Sequence, residues 1–108
     1  MARDETEAAY FTLLRARDEV SALQRFEEYL ADEAARLRRF VEDGTVLERP
    51  VDRRLRRRLR HTDGPLTEAI ETRLGAIRDA RERLPDQLAA AERFVEEAEA
   101  EHARLRGR

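Results

Sequence analysis

The sequence contains no cysteine, no tryptophan, no lysine and no asparagine. Without Cys there are no disulfides, no thiolate catalysis and no Cys-based zinc sites. Glycine is sparse, and Gly44, Gly64, Gly75 and Gly107 are isolated from one another, so no glycine-rich loop exists to cradle a phosphate. No apolar run approaches the ~20 residues of a membrane-spanning helix. The opening residues Met1 to Glu5 lack the apolar stretch of a signal peptide, so a cytoplasmic location is expected. A chain of 108 residues holds one domain and buries too little surface for a deep enzyme cavity.

Charge, by contrast, is abundant. Charged residues make up 43% of the chain, 24 acidic against 22 basic, and every basic residue is Arg. Lys and Asn are both favoured by AT-rich codons, so their joint absence points to a GC-rich coding sequence. The net charge of −2 lacks the acidic excess of salt adaptation. Arg is therefore the available cation of this chain, and a single Arg is not evidence of recognition.

Residues 4 to 43 contain neither Pro nor Gly and are rich in Ala, Leu, Glu and Arg, all good helix formers. Asp4 with Glu7 forms a capping-box pattern at the start, and Gly44 supplies a stop. Residues 65 to 106 read the same way, with Pro65 at the first helical position and Gly107 at the end. Apolar positions recur in alternating steps of three and four. On the first arm they run Thr6, Ala9, Leu13, Ala16, Val20, Leu23, Glu27, Leu30, Ala34, Leu37, Val41. On the second they run Thr67, Ile70, Leu74, Ile77, Arg81, Leu84, Leu88, Ala91, Val95, Ala98, His102, Leu105. This is a heptad seam in each arm, and each arm spans about 60 Å at ~1.5 Å per residue. Pro85 removes one hydrogen bond and crowds the carbonyl of Arg81, yet the heptad phase passes through it, so a kinked but continuous helix is expected.

Two such arms in one chain predict an all-α fold: a long antiparallel helical hairpin with a short basic helix in its connector. Glu27 and Arg81 are the only charged residues in the interior of the seam. Two antiparallel registers set them in adjacent layers. One places Glu27 opposite Leu84 and Arg81 opposite Leu30; the other places Glu27 opposite Ile77 and Arg81 opposite Leu23. A partly buried register ion pair is expected between the two. Several bulky residues miss the seam: Tyr10, Phe11, Leu14, Phe26, Phe40 and Phe94, with Phe26, Phe40 and Phe94 at heptad position g. A two-helix hairpin cannot bury them alone, so a homodimer completing a four-helix bundle is expected, or cover by a partner protein.

The connector, residues 45 to 64, is expected to hold a short helix over about 50 to 61, with Val51, Leu55 and Leu59 on one stripe. Residues 49 to 61 carry seven Arg and one Asp: Arg49, Arg53, Arg54, Arg56, Arg57, Arg58 and Arg60 against Asp52. The flanking segments are net −5 over residues 1 to 48 and net −3 over residues 62 to 108. The cluster is a candidate site for an anionic partner, either an acidic protein or nucleic-acid phosphate, to which Arg presents bidentate donors. Equally, it can pair with carboxylates of the chain itself. An anionic membrane surface is not expected as partner.

No catalytic constellation is present, so the chain is not expected to be an enzyme and no cofactor is implied. Glu99 and His102 form Glu-x-x-His, the spacing that ferritin-like di-metal bundles use, with Glu5 or Glu7 available on the facing arm. In so Glu-rich a tail the fragment arises easily by chance, and no metal is expected. Small secreted hairpins with a Trp-x-Gly turn are similar in length but need a Trp, and polymerase-inserting coiled-coil fingers carry an acidic tip where the tip expected here is arginine-rich. Neither matches. The expected function is a non-catalytic interaction or scaffold protein acting through its coiled-coil surface. The alternatives are a nucleic-acid or ribonucleoprotein accessory factor and, more remotely, a metal-binding protein.

Overall fold

The computed structural model describes residues 2–44 and 53–107, with side-chain placement for residues 4–42 and 64–107. The fold is all-α, a helical hairpin of two long helices: α1, Ala2–Gly44, and α2, Arg53–Arg106. None of the described helices is long and apolar enough to cross a membrane.

The helix bounds differ from the sequence prediction at two places. α1 opens at Ala2 rather than at Asp4, so Asp4 and Glu5 lie inside its first turn. There their charges favour the positive end of the helix dipole instead of capping it from outside. The larger difference concerns the connector. The basic segment from Arg53 onward is not a separate helix, because α2 runs unbroken through Gly64 and Pro65. A proline normally disfavours helical backbone in the residue before it, partly through a clash with that residue's Cβ. Gly64 has no Cβ, which removes that part of the clash and lets the helix pass. At Pro85, α2 is continuous as expected. The preceding residue, Leu84, is buried in the seam, and its packing opposes the local cost. The start of the predicted connector helix, Pro50 and Val51, and Arg49 lie outside the described residues.

The chain divides into two compact units. The first joins residues 1–28 to residues 83–108. In it, contacts descend α2 as they climb α1, with Tyr10 against His102 and Arg17 against Glu99. Leu13, Ala16 and Ala98 form its core, with Val95 packed against them. That cluster fits the register that sets Glu27 opposite Leu84. The second unit, residues 29–82, buries Leu30 and Ala34 from α1 with Ile70 and Ile77 from α2. Its helices are tied by Arg73, which donates from Nε to one Glu33 oxygen at 2.7 Å and from an NH2 nitrogen to the other at 2.9 Å.

Every buried hydrophobic among the described residues is a predicted seam position: Leu13, Ala16, Leu30, Ala34, Ile70, Ile77, Leu84 and Ala98. The buried residues are all aliphatic, three of the eight being Ala. At its outer described positions Val41 and Thr67 are exposed. Glu27 and Arg81 are also exposed, where partial burial was expected. Among the described residues neither forms an ion pair within its own unit. Leu84 and Leu30, which the same register sets opposite them, are buried instead. Exposure of the long side chains of Glu27 and Arg81 spares the cost of desolvating their charges.

Two stability outcomes follow from this division between seam and surface. Leu30→Ala empties a site that is 2% exposed and is expected to cost about 2–5 kcal/mol, whereas substitution at an exposed position such as Phe40→Ala falls within about 1 kcal/mol; urea unfolding followed by circular dichroism measures both. Gly75→Ala is expected to stabilise α2 by about 1 kcal/mol, since no described glycine has a positive φ and the added Cβ meets only the Arg78 guanidinium, at 4.0 Å. A lower melting temperature for Gly75→Ala would contradict a straight helical backbone at that position.

Candidate interaction surface

The seam divides the surface of each unit into two flanks. With Leu13 and Ala34 at position a of α1, and Val95 at position a of α2, Arg17 and Glu99 are both e residues. They meet across the helices of the first unit at 3.3 Å. Glu33 and Arg73 are both g residues, and they meet across the helices of the second. Antiparallel coiled coils place e beside e and g beside g, so these two ion pairs label the two flanks directly from contacts.

The e flank of the first unit is polar. Arg17, Val20, Ser21, Glu92, Val95, Glu96 and Glu99 line an open groove of about 460 Å³, with the two valines at seam positions. Nearby, the Tyr10 ring packs on His102, with centroids 5.5 Å apart and planes at 43°, and on Phe11 at 6.0 Å. Glu99 is engaged with Arg17 and His102 with Tyr10, so the Glu-x-x-His pair is occupied by protein contacts. Among the described residues no three His, Asp or Glu side chains converge as a metal site would require. On the outer surface of α2, Arg104 pairs with Glu101.

Among the described residues the g flank carries four of the eight exposed large hydrophobics. Phe26 and Phe94 are the g residues that stand out in the first unit, and Phe40 and Leu66 in the second; all four are exposed. Phe40 and Leu66 lie one heptad beyond Glu33 and Arg73 respectively, so the ion pair and the apolar pair are successive steps along one flank. Tyr29, one turn before Glu33 on α1, is also exposed and contributes to holding the Glu33 carboxyl down. All six aromatic residues of the chain are exposed, from 44% at Phe26 to 60% at Phe11.

Of the surface residues named from sequence, Tyr10, Phe11, Phe26, Phe40 and Phe94 are exposed as expected, while Leu14 is half-buried. Sequence reasoning missed Tyr29, Val41 and Leu66. Leu66 carried the same signal as the phenylalanines, position g. Val41 was assigned to the seam and lies near the end of α1. Tyr29 is two residues past Glu27 and gives no heptad signal. The arginines from Arg53 to Arg60 occupy the opening turns of α2, a helix with no acidic residue in its first turn. Their side chains, and those of Leu55 and Leu59, lie outside the described residues.

The Glu33 carboxyl is held below its ordinary value of 4.5, chiefly by the hydrogen bonds from Arg73, then by the charge of that guanidinium and the Tyr29 contact, against some desolvation. A depressed carboxyl stabilises the fold fully above its unfolded pKa and loses that contribution as pH falls through its folded value. Glu33→Gln is therefore expected to lower the melting temperature at pH 7, with the difference from the parent protein closing in acid below the folded pKa of Glu33. A difference independent of pH between 2 and 7 would show that the pair contributes nothing through its charge.

Compared with known proteins, the chain matches no family model, no curated sequence and no solved structure.

Proposed function

We propose that this protein is a non-catalytic helical interaction or scaffold protein, cytoplasmic in location, which binds other polypeptide through its coiled-coil flank. One observation carries the reading: among the described residues the buried core is Leu, Ile and Ala, with Val95 packed against it, and every Phe and Tyr of the chain stays exposed. Large rings dominate the energetics of protein contacts, and a helix pair that leaves its rings in water has them available for a partner. The g flank suits such a partner because its charged pair, Glu33 with Arg73, is already mutually satisfied by two hydrogen bonds. Covering that pair strands no lone charge.

A second reading draws on the opening of α2. A helix N-terminus carries the positive end of the dipole, and here it begins with Arg53 and Arg54, with Arg56, Arg57, Arg58 and Arg60 following and no acidic residue in the first turn. The arrangement concentrates positive charge at one place, and a phosphate-bearing nucleic acid or an acidic protein would relieve it.

Affinity capture with the tagged chain, with and without nuclease, separates the two. On the first reading, polypeptide retained by the parent chain is insensitive to nuclease and is reduced at least tenfold by the combined substitution Phe26→Ser, Phe40→Ser and Phe94→Ser. Helical circular dichroism is unchanged, since none of the three is in the core. Retained material that is stripped by nuclease, or lost only when Arg53 to Arg60 are neutralised, would replace the first reading with the second.

A further inference from the structure

We propose that the groove on the e flank of the first unit is a second docking surface, and that its occupant is a cationic amphipathic helix of a partner polypeptide. The proposal is independent of the g flank and uses residues of the first unit alone.

The groove joins an apolar floor to an acidic wall. Val20 of α1 and Val95 of α2 lie in it, each half-buried, at the seam. Glu92, Glu96 and Glu99 stand along its α2 side, with Val95 among them. Residues spaced i, i+3, i+4 and i+7 share one face of a helix, so these four follow one side of α2 over two turns, about 10 Å. At about 460 Å³ the groove has the volume of a binding site, and its open form suits a helix laid along it better than an enclosed small molecule.

Charge selects the occupant. Among the described residues lining the groove only Arg17 is basic, and it is engaged with Glu99 at 3.3 Å. Glu92 and Glu96 form no ion pair among the described residues, so the groove keeps two uncompensated carboxylates. The unit around it has the same sign, with 9 Arg against 13 Asp and Glu, net −4. The carboxylates are spread along the helix and do not converge on one point as a metal site would require, so a row of separate cations answers them. A helix with Lys or Arg at matching spacing and an apolar stripe between them fits both features. Its cations steer encounter and set orientation at the exposed rim, while contact with Val20 and Val95 removes apolar surface from water.

Fluorescence anisotropy with a labelled helical peptide tests this. The probe is built of Leu and Lys, about four turns long, with Leu at i, i+3, i+4 and i+7 and Lys elsewhere. It is expected to bind at low ionic strength and to weaken about tenfold or more when salt is raised to about 0.5 M. Two comparison peptides, one with Glu for every Lys and one with Ser for every Leu, are each expected to bind about tenfold more weakly. Glu92→Gln with Glu96→Gln is expected to raise the Kd of the Leu–Lys peptide about fivefold or more. Asp18→Asn with Glu97→Gln removes the same charge from exposed positions of the same unit outside the groove, and is expected to leave the Kd within about twofold. Helical circular dichroism is unchanged in both variants. Equal loss in the two variants would assign binding to net charge and overturn the groove as the site. Equal binding of the Ser–Lys peptide would overturn the amphipathic helix as occupant. Failure of the parent chain to bind the Leu–Lys peptide would overturn the proposal outright. None of these outcomes bears on capture through Phe26, Phe40 and Phe94, so the two surfaces stand or fall separately.

Discussion

An aliphatic seam packs α1 against α2 within each unit, and it decides which side chains are left in water. Its buried residues are Leu13, Ala16, Leu30 and Ala34 on α1 and Ile70, Ile77, Leu84 and Ala98 on α2. Glu27 and Arg81 are exposed although both stand at seam positions, which spares the cost of desolvating their charges. The rings of Tyr10, Phe11, Phe26, Tyr29, Phe40 and Phe94 belong to other heptad positions and are exposed.

The two flanks then diverge because of which side chains sit beside the seam. On the e side, Arg17 and Glu99 bridge the helices of the first unit over a groove walled by carboxylates. On the g side, Arg73 and Glu33 bridge the helices of the second unit with a two-point contact, and the neighbouring g positions are Phe40 and Leu66. A bidentate pair is better ordered than a single contact, since two parallel hydrogen bonds fix the planes of both groups. In the second unit the g side thus sets an apolar pair beside a matched charged pair, whereas in the first unit Phe26 and Phe94 share the g side with the exposed Glu19. Covering the former would release water from apolar side chains without leaving an ion unpaired, which is the basis of the proposed interaction.

Much of this was legible in the sequence. Among the described residues, the alternating three-and-four spacing named every buried hydrophobic, because a hydrophobic stripe at that period has only one way to leave water on a helix pair. The position of Phe26, Phe40 and Phe94 beside the stripe, not on it, was equally readable, and their exposure follows. The misreadings have local causes. Gly64 and Pro65 look like a helix start, but a glycine before a proline also relieves the crowding that would otherwise break a helix, and α2 continues through both. Leu14 is half-buried, although its heptad position is remote from the seam. The partial burial expected of Glu27 and Arg81 assumed that charges placed at seam positions would stay in the seam; both are exposed.

What the sequence by itself determined is the pair of helices, the residues between them and the segregation of charge, since each depends on periodicity and composition along one chain. What only the tertiary structure decided is which flanking residues meet. That Arg73 grips Glu33 with two hydrogen bonds, and that Glu99 is taken by Arg17 and His102 by Tyr10, depend on the register and rotation of one helix against another. Those are fixed by packing between segments some 40 to 90 residues apart in sequence, and no local pattern encodes them.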